Sequence, residues 1–470
     1  MADPDAIVIG SGPNGLAAAI VLARAGRKVA VYEAQAEIGG GCKSEALTLP
    51  GFVHDVCSSV HPMALASPFF RSLPLYAHGL EWIHPPAMLA HPMDDGPATV
   101  VERSLADTAA GLGSDGGAYR RLIGSVFDAW PLIEESILGP PRLPRHPLAM
   151  ARFGWNALQS ANRLARRFAG APARALLAGI AAHGMVPLES PPSGAIALVL
   201  GVLAHVHGWP FPKGGAQRLS NALASYLRSL GGDIVTSAPV STIDDLPRAP
   251  TILCDLSPRP LLRIAGHTLP EPYRRQLEQY RYGMGVFKVD WALAAPIPWG
   301  DPTVARAGTV HLGGTLEEIA ASERDAWEGR VSSRPFVLLA QHTLFDPSRA
   351  PVGRHTAWSY CHVPHGSSVD MLPAIEQQIE RFAPGFRERV LARHVITTAD
   401  LEQRNPNLVG GDIAMGITDL RQMLVRPTLR WYRTPRRGLY ICSAATPPGV
   451  GVHGMCGYFA AQAALADSRE

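Results

Sequence analysis

The feature that most constrains this chain lies in its first 33 residues. Asp5-Ala-Ile-Val-Ile-Gly10 is a short β-branched run that reads as a buried strand. Gly10-Ser-Gly12-Pro13-Asn14-Gly15 follows, and an alanine-rich stretch from Leu16 to Ala25 reads as a helix ended by Gly26. Lys28-Val-Ala-Val-Tyr-Glu33 is a second strand. The order strand, glycine turn, helix, strand defines a βαβ unit. Gly10 allows the tight turn, Gly12 lets backbone approach a pyrophosphate, and Gly15 lets helix and strand pack closely. Pro13 and Asn14 open a helix whose free N–H groups and positive dipole end suit phosphate. Glu33 lies 18 positions beyond Gly15, where a carboxylate accepts ribose hydroxyls and repels a 2′-phosphate. The reading is a dinucleotide site that disfavours NADP.

The chain has 470 residues, and single cores stop growing near about 250–300 residues, so two domains are expected. Apolar residues make up 47% and charged residues 18%, which excludes a disordered chain. A net charge of +3 gives no basis for a nucleic-acid partner. The six cysteines form no CxxC pair, so no disulfide framework is expected and a reducing compartment is the default. The opening Met1-Ala-Asp-Pro-Asp is acidic where a signal peptide is basic, and the apolar run from Ala195 to Val206 is too short to cross a bilayer. The expectation is a cytoplasmic protein; its oligomeric state is left open.

Further along, 115–137 and 147–183 read as helical, the latter broken near Gly170 and Pro172. Pro210-Phe-Pro-Lys-Gly-Gly215 is a turn before a helix over 216–230. Strands are expected at 233–236, 251–255, 285–293, 336–340 and 356–363, then a helix over 368–382. A strand at 439–443, a Pro/Gly loop and a helix from His453 close the chain.

A family resemblance becomes specific after Glu33. The segment Glu33-Ala34-Gln-Ala-Glu-Ile-Gly39-Gly40-Gly41, followed by Lys43 and Ser44, resembles the second half of the FAD motif of the amine oxidase and phytoene desaturase superfamily. That family usually has Arg after the glycine pair; Gly41 stands here. Gly438-Leu-Tyr-Ile-Cys-Ser443-Ala-Ala-Thr-Pro-Pro-Gly-Val-Gly451-Val-His453-Gly454-Met455 resembles the closing motif of phytoene dehydrogenase-like proteins, and the Pro210–Leu219 stretch a segment placed beside the flavin. The resemblance implies FAD as cofactor, with these residues in contact with it, Ser443 donating to phosphate, and the helix opening at His453-Gly454-Met455 aiming N–H donors at the flavin N1 edge. It implies an α/β fold. A Rossmann-like FAD-binding domain (1–75, 207–265, 405–470) would carry an inserted substrate domain of mixed sheet and helices (76–206, 266–404). The implied activity is desaturation, saturation or isomerisation of a small hydrophobic, polyene or isoprenoid-like substrate. The rivals are a flavin-dependent amine oxidase and, from another class, a lipid-binding protein of the prenylated-GTPase dissociation-inhibitor type.

Candidate chemistry beside the flavin is sparse. In Gly285-Val-Phe-Lys-Val-Asp-Trp-Ala-Leu293, alternation puts Lys288 and Asp290 on one face. Charged pairs ordinarily face water, so a solvated pair is the expectation; the functional reading is a lysine near flavin N5. His54, Asp55 and His61 follow the glycine pair, and His61 and His453 are the histidine candidates. Cys361-His362-Val-Pro-His365 fits no common zinc spacing, so no metal is expected. Cys42 and Cys456 sit in cofactor motifs, where packing is the simpler role. From Arg142 to Leu188 there are seven arginines and no acid, with Leu148, Phe153, Trp155, Leu158, Leu164 and Phe168 among them. An amphipathic helix with its apolar side to the core accounts for this; peripheral contact with the inner face of an anionic membrane is the other reading.

Overall fold

The computed structural model describes residues 3–469. Two sheets are built from twelve strands: β1 (Ala6–Ile9), β2 (Val29–Tyr32), β3 (Ala87–His91), β4 (Thr99–Glu102), β5 (Asp233–Val235), β6 (Thr251–Cys254), β7 (Gly285–Leu293), β8 (Ala307–Leu312), β9 (Val337–Ala340), β10 (His355–Val363), β11 (Val390–Ile396) and β12 (Leu439–Ile441). The helices that position the site are α1 (Pro13–Arg24), α2 (Pro147–Ala157), α3 (Ala171–Ala182), α4 (Ser193–Val206), α5 (Gln217–Ser229), α6 (Leu316–Trp327), α7 (Leu372–Phe382) and α8 (Met455–Asp467).

The first sheet runs β12-β6-β1-β2-β5, every pairing parallel. A parallel sheet must be covered on both faces. Ile7, Ile9, Ile252 and Ile441 pack against Leu261 and Ile264 on one side, while α1, α5 and α8 lie in the core cluster of the other. Helix α1 starts with Pro13 at its first position, where the missing N–H loses nothing. Gly457 of α8 packs on the start of α1 so closely that a Cβ there would overlap the Asn14 carbonyl. The N-termini of α1 and α8 therefore sit side by side.

The second sheet runs β11-β7-β10-β9-β8-β3-β4, antiparallel except between β8 and β3. Strand β7, paired on both sides by β11 and β10, is buried at every position. Period-2 alternation divides it sharply. Phe287, Val289, Trp291 and Leu293 join Ile375, Ile379 and Phe382 of α7 in one apolar cluster. Val286, Trp358 and Tyr360 join the cluster that contains α1, so this second face is turned toward the cofactor-sheet side of the molecule.

The fold is α/β, with a Rossmann-like sheet and a large mixed sheet. Two expectations change. Lys288 and Asp290 are not a solvated pair: they are 2% and 0% exposed, because both faces of β7 are covered. The 142–188 segment is also not simply apolar-side-in. Phe153, Leu164 and Phe168 are buried, but Leu143, Leu148, Trp155 and Leu158 stand 58–95% exposed around α2.

Candidate cofactor and substrate site

The glycine turn sits where strand ends β1, β2 and β6 converge, at the carboxyl edge of the parallel sheet where α/β folds bind ligands. Glu33, at the end of β2, accepts hydrogen bonds from Ser11 N at 3.0 Å and from Gln35 N at 2.9 Å, and the Ser11 hydroxyl donates to it as well. The carboxylate is thus anchored beside the turn. Gly39 N donates to Ser11 O, and a Cβ on Gly40 would stand 3.1 Å from the Gly12 Cα. The two glycine segments, far apart in sequence, form one cradle of bare backbone.

Asp255, which the motif reading passed over, completes this cradle. It follows β6, and its Oδ2 accepts the Gly15 amide N–H at 3.0 Å. A Cβ on Gly12 would come within 2.6 Å of the same oxygen. Burial, with a contribution from Glu33, pushes the Asp255 carboxyl up to about 7. The legible signal was an acid directly after a strand of the parallel sheet.

The donor set fits a dinucleotide. The cradle is bare glycine backbone with the Asp255 carboxyl against it, two helix N-termini flank it, and the buried Asn14 Oδ1 and His453 Nε2 have no partner. Several predicted contacts take other partners. The Ser443 hydroxyl donates to Leu256 O at 2.8 Å, so it does not point a donor at phosphate. Ser44 donates to Asp55 at 2.7 Å and accepts from Gln217 N, which ties the segment to α5. Ala34 is exposed, and Lys43 is partly buried, with burial lowering its pKa. At α8, His453 Nδ1 accepts the Met455 N–H at 3.0 Å, so that donor already has a partner. Burial pulls His453 down to about 4, which keeps it the neutral acceptor this cap requires. Gly454 takes φ +67°, and a Cβ there would strike the Phe70 ring. Gly451 lies against His453 and Met63.

Asp55 is the hub that joins the two sheets. It accepts from Ser44, from Ser59 at 2.6 Å, from Ala216 N at 2.7 Å, and from the Arg349 guanidinium at 2.7 Å. Arg349 is 0% exposed and also bridges to Asp346, which accepts from Gly214 N and from Ser348 as well. The Pro210–Gly215 turn is held by this network. Nothing in the sequence around Arg349 announced it.

Lys288 pairs with Asp290 on β7 and lies 5.8 Å from the centre of the Trp358 ring. Its charge reaches Cys57, and the Cys57 sulfur lies 3.9 Å from where a Gly41 Cβ would be. Burial raises Asp290 to about 6, offset only in part by Lys288. His54 Nδ1 stands 3.6 Å from Asp290, and burial drops His54 to about 3. His61 meets Ser58 at 3.1 Å and its other nitrogen is unpartnered; burial takes it down to about 4, so it stays neutral.

Cys361, His362 and His365 do not converge. Cys361 belongs to the α7-facing cluster, His362 meets Glu323, and His365 meets Gly283 O. Burial pushes Cys42 and Cys456 up to about 12, so neither carries a thiolate suited to covalent attachment.

Comparison with known proteins agrees with this geometry. Residues 8–73 match the family model of an NAD(P)-binding Rossmann-like domain. The chain is 29% identical to "Pyridine nucleotide-disulfide oxidoreductase domain-containing protein 2" of Mus musculus, over 98% of this chain and 93% of that protein. It is 24% identical to a lycopene-forming phytoene desaturase of a Paracoccus species, over 53% of each chain. Among solved structures, an oxidoreductase from Methanosarcina mazei matches with a TM-score of 0.68 at 16% identity, covering 98% of this chain and 99% of that one. A cyclohexylamine oxidase from Brevibacterium oxydans matches at 0.58 and 15% identity over 100% of both chains. Fold and site together define a Rossmann-type oxidoreductase whose dinucleotide is FAD. Within that class, the chain is similar in sequence to a phytoene desaturase and shares its fold with a cyclohexylamine oxidase.

Proposed function

We propose that the protein oxidises or reduces a carbon–carbon bond of an apolar, isoprenoid-like substrate. FAD, when bound, supplies the hydride acceptor or donor. The chain's own residues bind, orient and exclude water: the glycine cradle and Glu33 hold the cofactor, and the β7–β10 face covers the reacting side. One observation carries the choice of substrate. Each buried carboxylate on or beside that face already has a basic partner: Asp290 with Lys288, Glu323 with His362, Asp55 with Arg349. An ammonium group would have to compete with Lys288 for the Asp290 carboxylate, whose Oδ1 alone is unpartnered, whereas a neutral apolar body needs no carboxylate. Of the chain's residues, Lys288 is the one we assign to polarising the cofactor's reactive edge.

The amine oxidase reading has one feature in its favour, the edge-on pair of Trp358 and Tyr360, 5.2 Å apart, on the same face. Anaerobic mixing of the yellow holoprotein with a terpenoid, a primary amine and NAD(P)H separates the readings. Bleaching of the flavin by the terpenoid, or recovery of its colour by the terpenoid after prior reduction, is expected; bleaching by the amine at a comparable rate sinks the proposal.

The surface of α2 completes the reading. Leu143, Leu148, Trp155 and Leu158 are exposed beside Arg145 and Arg152. Apolar and basic groups on one surface suit the interface of an anionic membrane, where a lipid-dissolved substrate would be met.

A further inference from the structure

Glu323 of α6 is 0% exposed. Both of its oxygens meet a single side-chain partner, His362 Nδ1 on β10, at 2.8 and 2.7 Å. His362 is itself 3% exposed, and its Nε2 has no partner. A carboxylate that accepts Nδ1–H fixes the tautomer, so the neutral ring offers Nε2 as a lone-pair acceptor.

His362 lies on the face of β7–β10 that carries Lys288. Val286 is opposite His362 in the ladder, and Lys288 is opposite the next residue on that face, Tyr360. His362 Nε2 is one of six buried polar atoms without a partner there. The others are Asp290 Oδ1, Thr309 Oγ1, His311 Nδ1, Thr356 Oγ1 and Trp358 Nε1. The opposite face of β7–β10 carries one, the Ser359 hydroxyl. Buried polar atoms are nearly always satisfied, and failure concentrated on one face of one sheet marks a surface whose partner comes from outside the chain. The rings of Tyr360 and Phe336, 5.6 and 6.5 Å from His362, give the same spot an apolar rim.

We propose that His362 Nε2, backed by Glu323, accepts a hydrogen bond from a hydroxyl group of the substrate. The proposal rests on the isoprenoid reading above and narrows it: the substrate is an apolar unsaturated body carrying an alcohol, not a bare hydrocarbon. His362 binds and orients this group, and Glu323 is a positioning residue that acts through it.

The test compares alcohol and hydrocarbon of the same skeleton, geraniol with myrcene and farnesol with farnesene, on the FAD-loaded protein. Binding is read from the flavin absorption spectrum and from tryptophan fluorescence. The unaltered protein is expected to prefer the alcohol by about ten- to a hundredfold, the worth of one hydrogen bond in a buried site. His362→Phe keeps the ring and should bring the two affinities to within about twofold. Glu323→Gln should reduce the preference with FAD content unchanged, and it carries the comparison if His362→Phe does not fold. No preference in the unaltered protein overturns the proposal. So does a preference that survives in the variants, which would make the pair only a tie between α6 and β10. Binding of neither compound at either length sinks the isoprenoid reading itself, and this ligand with it.

Discussion

The Asp255 carboxyl accepts the Gly15 amide N–H at 3.0 Å, at the first turn of the helix whose N-terminus faces the dinucleotide. An acid there is compatible with a diphosphate only when it is protonated. Burial places its titration at about 7, against about 3.9 for an unfolded Asp. The sign follows from linkage. A raised carboxyl pKa means the folded protein binds the proton more tightly, so stability and FAD retention are greatest in acid. Stability falls as pH rises from about 4 through 7, and FAD retention falls as pH rises through 7 and above, where the folded apoprotein gives up this proton. FAD affinity of the apoprotein, measured by flavin fluorescence, should be about tenfold weaker at pH 8.5 than at pH 6. Asp255→Asn should flatten the profile. A profile of equal slope in both proteins would show that another group titrates.

Gly12 makes a related prediction. A Cβ would lie 2.6 Å from the Asp255 oxygen, and the remaining atoms of a valine would occupy the cradle. Gly12→Val should fold, because the turn lies at the carboxyl edge of the parallel sheet, yet release its FAD. The check is FAD per chain after denaturation beside a circular dichroism spectrum. A folded and fully loaded variant would refute the placement.

Lys288 and Asp290 form a buried pair, and removing one partner strands the other. Lys288→Met should destabilise by about 3–5 kcal/mol. The loss should grow as pH rises through the Asp290 titration, which burial already sets at about 6 in the intact pair. The double variant Lys288→Met, Asp290→Leu should recover much of it, because an apolar pair of similar volume removes the stranded charge. Denaturant midpoints at pH 5 and pH 8 decide the matter. A loss that is the same at both, or that the double variant does not relieve, would mean the pair is not the buried unit described.

Arg349 holds Asp55 and Asp346 in one dry network between the sheets. Arg349→Met should cost about 3–5 kcal/mol and loosen the Pro210–Gly215 turn, whose Pro212 carbonyl it also binds at 2.8 Å. Limited proteolysis should then open the chain near that turn. A variant as stable and resistant as the parent would show that the network is ornamental.

The strongly periodic and strongly punctuated parts of this fold were legible in the residues. The βαβ start and β7, whose nine residues alternate, fall where the pattern put them. Strands β3, β4, β8 and β11 gave no such signal. β3 and β8 are short, buried throughout and rich in alanine, glycine and histidine, so neither alternation nor β-branched enrichment marks them. Helix α4 looked like a bare apolar run because it is buried on most sides, and α6 was hidden among charges although Thr315 and Glu318 form a capping box. The cofactor glycines stood out because Gly10, Gly39 and Gly40 take positive φ, and Gly12 and Gly15 leave no room for a Cβ. Asp255, Arg349 and Glu323 did not, because their roles exist only through partners 240, 294 and 39 positions away.

The last prediction concerns the surface of α2. Leu148 is 80% and Trp155 76% exposed, and Leu143 before the helix is 95% exposed. Single exposed leucines mean little, but this group shares its segment with arginines and with no acid. Two forces should therefore add at an anionic bilayer: apolar insertion of Leu148 and Trp155, and attraction of about 1 kcal/mol for each arginine near the surface. Only the second is screened by salt, since the Debye length shrinks from about 10 Å at 0.1 M to about 3 Å at 1 M. Sedimentation with anionic vesicles should show binding that weakens in high salt without vanishing, and neutral vesicles should bind poorly at any salt. Leu148→Ser with Trp155→Ser should abolish the salt-resistant part while leaving FAD content and stability unchanged, because neither side chain lies in the core. Equal binding to neutral and anionic vesicles, or undiminished binding by the double variant, would move the contact to another surface.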